Sequence, residues 1–113
     1  MQDDIKTWLY DILNAIMEID GFMIDIESNF DFYLKDVRTK RATERNIEII
    51  GEAMNRILKA NDEIEISYSR NIVDARNRII HGYDSVSDVL IWSIVTKYLP
   101  ILKIDVEKLV GEN

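Results

Sequence analysis

Apolar residues return every three or four positions along most of this chain, and only one proline and four glycines interrupt them in 113 residues. Those two residue types are the ones least tolerated inside a helix, so the chain has few places to stop. A period near 3.6 with rare breaks predicts long amphipathic helices. From about residue 3 to residue 25, Ile5, Trp8, Leu9, Ile12, Ile16 and Ile19 mark one apolar face. Asp3 and Asp4 suit the N-terminal end by charge. Ser28 or Asn29 is the expected cap of a short helix carrying Phe30, Phe32, Tyr33 and Leu34. A third helix is expected from about Lys40 to Lys59, with Ile47, Ile50, Met54, Ile57 and Leu58 on its buried side. Its Ala42, Gly51 and Ala53 are small enough for another helix to approach closely.

"ANDEIEIS" then reads as a connection, because a lone strand in a helical chain has nothing to pair with. A fourth helix is expected over about residues 68–81, with Gly82 fitting its C-terminal end. Ser85 or Ser87 can cap a fifth, in which Pro100 forces a kink or a restart because it has no N–H to donate. The pattern predicts an all-α, antiparallel up-and-down bundle of about five helices. Residues 1–113 contain no linker, repeat or low-complexity stretch, which predicts one domain. The apolar stripes are wide, and Trp8, Trp92, Phe30 and Phe32 are many aromatics for so small a chain. Part of that surface is expected to pack against a second copy.

The chain has no cysteine, which rules out disulfides, thiolate catalysis and cysteine-bound zinc and agrees with a reducing cytoplasm. No apolar run reaches the roughly 18 residues that span a bilayer, and the polar start "MQDDIKTW" is unlike a signal peptide. Net charge is −7, which speaks against long nucleic-acid duplexes held by charge alone. The distribution is uneven. Residues 35–81 hold ten Lys/Arg against eight Asp/Glu, a local +2; the remainder holds four against thirteen, or −9. The basic part centres on "VRTKRATER" and "RNIVDARNR". It reads as a solvated helix face or as a cleft for a short phosphate segment.

One stretch concentrates chemistry. "DARNRIIHGYD", residues 74–84, holds the only histidine, His81, with Arg76 and Arg78, Asn77 and Tyr83 around it. At about 100° per residue, Asn77 and His81 share a helix face, so the amide could orient the imidazole. Arg76 and His81 are about 140° apart on the same wheel and can border one groove if the helix ends near His81. Tyr83 then leaves the helix and can reach that groove. Arg78 falls between groove and solvent. An arginine fork matches phosphate oxygens, and an imidazole exchanges protons near neutral pH. The pair is a metal-free kit for cleaving a phosphodiester. One imidazole cannot serve as base and acid on opposite sides of the phosphorus, so a two-fold dimer joining two copies of this helix is expected to complete the site. No two-histidine or dense carboxylate set suggests a metal site. The bland reading is a histidine capping a helix C-terminus, with Tyr83 as a packing residue. Arg45 and Glu52 are candidates to line the groove or brace it by an ion pair.

"RNRIIHGY" matches the RNxxxHxY signature of HEPN proteins, and the wider chain resembles their HepT-like branch. "RATERNIEIIGEAMNRI" is similar to that branch's helix with an arginine followed by "IGEA". "WSIVTKYLPIL" is similar to its late helix, and "DDIKTWLYDILNAIMEI" to its opening one. The resemblance spans about residues 3–104. It implies a helical bundle dimerised with its motif helices facing. It also implies a metal-independent endoribonuclease, often the toxin of a toxin–antitoxin pair, without a cofactor. The implied partner is a minimal nucleotidyltransferase, and the implied catalytic residues are Arg76 and His81, supported by Asn77. Tyr83 is implied as the acceptor of AMP groups whose bulk and charge would close the cleft to RNA. Two features depart from the branch: "ISYSRNIVDAR" lacks the tryptophan that often precedes the motif helix, and position 82 is glycine. Two other functions stay open on these residues. One is a non-catalytic subunit that binds a nucleotide or a nucleotidyltransferase; the other is a structural helical dimer.

Overall fold

In a computed structural model, which describes residues 2–82 and 86–111, helix α1 runs over Asp3–Asp25 with both aspartates in its first turn. Ile5, Leu9, Ile12, Ala15, Ile16, Ile19 and Met23 form its buried face. Gly21 does not end it, because the glycine lies on the open side with nothing near where a Cβ would be. The chain reverses through Glu27 and Ser28, both at positive φ. Asn29 rather than Ser28 is the cap: its side chain accepts from the Phe32 amide at 3.0 Å and starts α2, Phe30–Lys35.

Helix α3, Val37–Ala60, begins three residues before the expected Lys40. The cause is local. The Asp36 carboxylate accepts from the Thr39 amide at 3.1 Å and closes the first turn. Lys40 lies inside the helix and pairs with Asp88 at 3.0 Å, tying the start of α3 to a later helix. Helix α3 packs most extensively against α1 and against α4, Ser69–Ile80. A polar tie sits inside the α1–α3 seam, where the buried Asn46 amide donates to the Ala15 carbonyl at 3.1 Å and to Glu18 Oε1 at 2.8 Å.

The connection before α4 has no strand among the described residues; instead Ile66 is buried in the core. The Ser67 amide donates to Asp105 Oδ2 at 2.8 Å. Tyr68, the residue that opens α4, takes a left-handed conformation at φ 62°. Its ring stacks on Tyr98 with centroids 4.4 Å apart.

Ser87 caps α5, Asp88–Ser93, by accepting from the Leu90 amide at 3.0 Å; Ser85 lies outside the described residues. A π-helical turn, Ile94–Tyr98, joins α5 directly to α6, Leu99–Gly111. Here the Leu99 N–H reaches back to the Ile94 carbonyl. Pro100 cannot donate to the residue four before it, and the wider turn immediately ahead of it absorbs that loss. Helical conformation therefore continues across the proline. Counted as one rod, Asp88–Gly111 makes the described residues an all-α bundle of five helices.

Most of the aromatics are used internally. Trp92 packs against Phe30 and Tyr33 at 5.3 Å between centroids in each case. Phe32 stays exposed, and Trp8 packs only in part on the core.

Candidate active site

Helix α4 is anchored by Ile72, Val73 and Ala75, which are buried. Arg76 follows on the flank that meets α3. The two helices nearly touch here. A Cβ built on Gly51 would fall 2.3 Å from Arg76 Cβ and 3.1 Å from the Ile72 carbonyl oxygen. Only glycine lets the stem of Arg76 lie directly on the α3 backbone.

That stem carries the guanidinium to two acceptors. Nη1 donates to Asn77 Oδ1 at 3.0 Å, and Nη2 is ion-paired with Glu52 Oε2. The other Glu52 oxygen accepts from Arg56 Nε at 3.1 Å. The Arg76 side chain is 23% exposed: largely withdrawn from water, yet open on one side. The guanidinium has five N–H groups, so donors remain after Asn77 and Glu52 are served.

The open side faces a cleft of about 430 Å³ formed by α1, α3 and α4. Trp8 and Asp11 line it from α1, Arg45, Glu48, Ile49, Glu52, Ala53 and Arg56 from α3, and Arg76 and Ile80 from α4. Arg45 also pairs with Glu48 at 3.6 Å. Arg76, Arg45 and Glu52 thus come together from distant parts of the sequence.

His81 closes α4. Its amide donates to the Asn77 carbonyl at 3.1 Å, and the residue is exposed. It stands one position past Ile80 but does not itself line the cleft. Gly82 follows at φ +66°, the left-handed position that ends many helices and that glycine occupies without a Cβ penalty. The glycine thus turns the chain sharply after the histidine. Tyr83 lies outside the described residues. The Asn77 amide oxygen accepts from Arg76.

Arg78 lies apart from this cleft. Two residues past Arg76 is about 200° around a helix, and Arg78 lies in a separate groove with Asn71, Asp74, Leu90 and Tyr98. It does not line the cleft. Reading the sequence missed Trp8, Asp11 and Arg56 as cleft residues. The signal for Arg56 was present in the spacing of Arg45, Glu48, Glu52 and Arg56, which repeats every three or four positions. Trp8 and Asp11 come from another helix, and no local pattern marks them. No group of three metal-ligating side chains converges among the described residues.

The model of the ribonuclease HepT-like family matches residues 12–109, nearly the whole chain and all of the arginine–histidine helix. The chain belongs to this family. HepT-like relatives cover it almost end to end. The protein named probable ribonuclease HepT from Thermococcus cleftensis is 35% identical over 111 residues, 96% of this chain and 98% of its own length. Two Methanocaldococcus jannaschii proteins, both named as candidate RNases, are each 32% identical. One aligns over 99 residues, 86% of this chain and 79% of its own. The other aligns over 108 residues, 92% and 94% respectively. No solved structure matches the chain.

Proposed function

We propose that this HepT-like chain is a metal-independent endoribonuclease that acts as a homodimer, with Arg76 and His81 as its catalytic residues. The observation that carries the reading is the Arg76 guanidinium, fixed by Asn77 and Glu52 at the wall of an open cleft and five residues ahead of an exposed helix-end imidazole. Relatives named as ribonucleases support RNA as the substrate.

The chemistry follows from those two groups. Arg76 binds a non-bridging oxygen of the scissile phosphate and stabilises charge that builds on it. An imidazole takes the proton of the adjacent 2′-hydroxyl, whose oxygen attacks phosphorus. The bond from phosphorus to the 5′-oxygen breaks, and a second, protonated imidazole donates to that leaving oxygen. The products are a 2′,3′-cyclic phosphate and a 5′-hydroxyl. The second imidazole is His81 of the partner subunit, supplied when the two motif helices face each other.

The same reading makes the protein the toxin of a toxin–antitoxin pair in the cytoplasm. A minimal nucleotidyltransferase is its partner, and Tyr83 the acceptor of AMP. AMP groups two residues from His81 would add bulk and negative charge at the cleft mouth and repel RNA.

The test is RNA cleavage in the presence of a chelator. The wild type is expected to leave cyclic phosphate ends, and His81→Ala and Arg76→Ala to leave RNA intact. Cleavage by His81→Ala at the wild-type rate would overturn the mechanism. For the partner, mass spectrometry after incubation with the nucleotidyltransferase and ATP is expected to show AMP-sized additions that vanish in Tyr83→Phe.

A further inference from the structure

We infer that the cleft beside Arg76 holds a second RNA contact, a subsite for the nucleotides flanking the cut, built from Trp8, Arg45 and Arg56. The inference rests on the ribonuclease reading and extends it to residues that the catalytic chemistry does not use.

Three observations meet in it. First, Arg45, Glu52 and Arg56 are seven and four residues apart, so they fall within about 20° of one line along α3. The two arginines stand about 16 Å apart on that line at 1.5 Å per residue. That is several times the rise of about 3.4 Å between neighbouring nucleotides of a stacked strand. Glu52, which holds Arg76, lies between them. A strand whose cut phosphate sits on Arg76 therefore has a guanidinium available in each direction along α3.

Second, both arginines are held loosely. Arg45 is 69% exposed and meets Glu48 only at 3.6 Å. Arg56 is 58% exposed, and the Glu52 carboxylate it touches is shared with Arg76. Exposed surface pairs of this kind are weak, so a phosphate can take over either guanidinium. Asp11, Glu48 and Glu52 balance the three arginines while the cleft is empty. That balance keeps the site from attracting arbitrary polyanions, in line with the net charge of −7.

Third, the facing wall is aromatic. Trp8 lines the cleft from α1 and is only partly packed on the core. The other tryptophan, Trp92, is also half-buried, but its ring is already in contact with Phe30 and Tyr33. An indole opposite a row of guanidiniums is the combination that holds an unstacked base over a fixed backbone. The ligand is single-stranded RNA, because a paired base has no free face to offer Trp8. The cleft volume is about 430 Å³, within the range of small-molecule pockets.

The experiment uses the full chain and a single-stranded oligoribonucleotide with 2′-O-methyl groups, which lacks the attacking hydroxyl. Affinity is measured over a series of salt concentrations. Arg45→Ala and Arg56→Ala are each expected to weaken binding and to flatten the slope of log K against log salt by about 0.7. Trp8→Ala is expected to weaken binding about tenfold with the slope unchanged, while Trp8→Phe keeps most of the affinity. On cleavable RNA the same losses are expected in KM, with kcat held. Should Trp8→Ala fail to fold, the two exposed arginines decide by the salt slope alone. Unchanged affinity and slope in the arginine variants of a protein that still cleaves RNA would refute the subsite and leave the ribonuclease standing. A wild type that neither binds the oligonucleotide nor cleaves RNA would remove both.

Discussion

Glu52 shows how much one carboxylate decides at the candidate site. It pairs with Arg76 through one oxygen and with Arg56 through the other. Its side chain is 39% exposed, so solvent screens the pairing and its share of the folding energy is small. Under the proposed mechanism its contribution to orientation is larger, because a guanidinium that swings by an ångström would no longer meet the phosphate assigned to it. Glu52→Gln keeps an acceptor but removes the charge; Glu52→Ala removes both. Steady-state kinetics are expected to show kcat falling about tenfold in the first and about a hundredfold in the second, with melting temperatures close to wild type. Equal kcat in all three proteins would show that Arg76 needs no brace. Adding Arg76→Lys to each variant separates the two explanations. Loss through Arg76 is then not additive, whereas an independent role for Glu52 adds in full.

At the scale of the helices, the seam between α3 and α4 is the sensitive place, and Gly51 is its contact point. Alanine there gains up to about 1 kcal/mol of helix propensity. It also places a Cβ 2.3 Å from Arg76 Cβ, an atom fixed to its own backbone, so the helices must part. Overpacking of this kind costs about 1–3 kcal/mol, and the clash therefore outweighs the propensity. Gly51→Ala is expected to melt lower and to lose activity. Gly21→Ala, where the space is open, is expected to melt slightly higher. Thermal melts of the two variants side by side check the sign of each.

The other end of α4 is held by Asp105 and Tyr98. The Ser67 hydroxyl first, and then the Ser67 amide, hold the Asp105 carboxyl below the usual carboxylate range. At the start of α3 the Thr39 amide does the same for Asp36. A pKa lowered by folding gives stability that is complete above the unfolded value and is lost as pH falls through the folded one. Melting temperature is therefore expected to drop on acidification below the ordinary carboxylate range. The drop should be shallower in Asp105→Asn, which has already lost that contribution at neutral pH.

These elements also show what a one-dimensional reading can and cannot see. Asn29 and Ser87 were legible as caps because capping is chemistry within four residues. The helices were legible because burial repeats with the helical period. The start of α3 is less legible, because the apolar period begins only after Lys40 while the Asp36 carboxylate starts the helix three residues earlier. The π turn ahead of Pro100 was not foreseen, since proline marks a lost hydrogen bond without saying how the chain repairs it. Arg76 was legible from its motif, and Gly51 as a small residue. Their contact, like the approach of Trp8 from α1, depends on how whole helices cross.

For the molecule as a whole, the question is whether one copy suffices. Arg76 lines the cleft while the exposed His81 stands just outside it, past Ile80. Ile80 is 45% exposed and lines the cleft; in the proposed dimer with facing α4 helices, a second copy is expected to cover it. If two facing α4 helices make one active site, a dimer with a single imidazole lacks either its base or its acid. Wild type mixed with an equal amount of His81→Ala and allowed to exchange subunits then forms about a quarter wild-type dimers and about half mixed ones, as random pairing requires. Only the first class cleaves, so activity is expected near a quarter of that of the same total amount of wild type. Independent protomers would instead give about half. Ile80→Asp is expected to lower the dimer fraction in sedimentation and to lower cleavage in parallel, since its carboxylate would be buried without a partner. Activity that stays at half in the mixture, or survives in a monomeric Ile80→Asp, would place base and acid within a single chain.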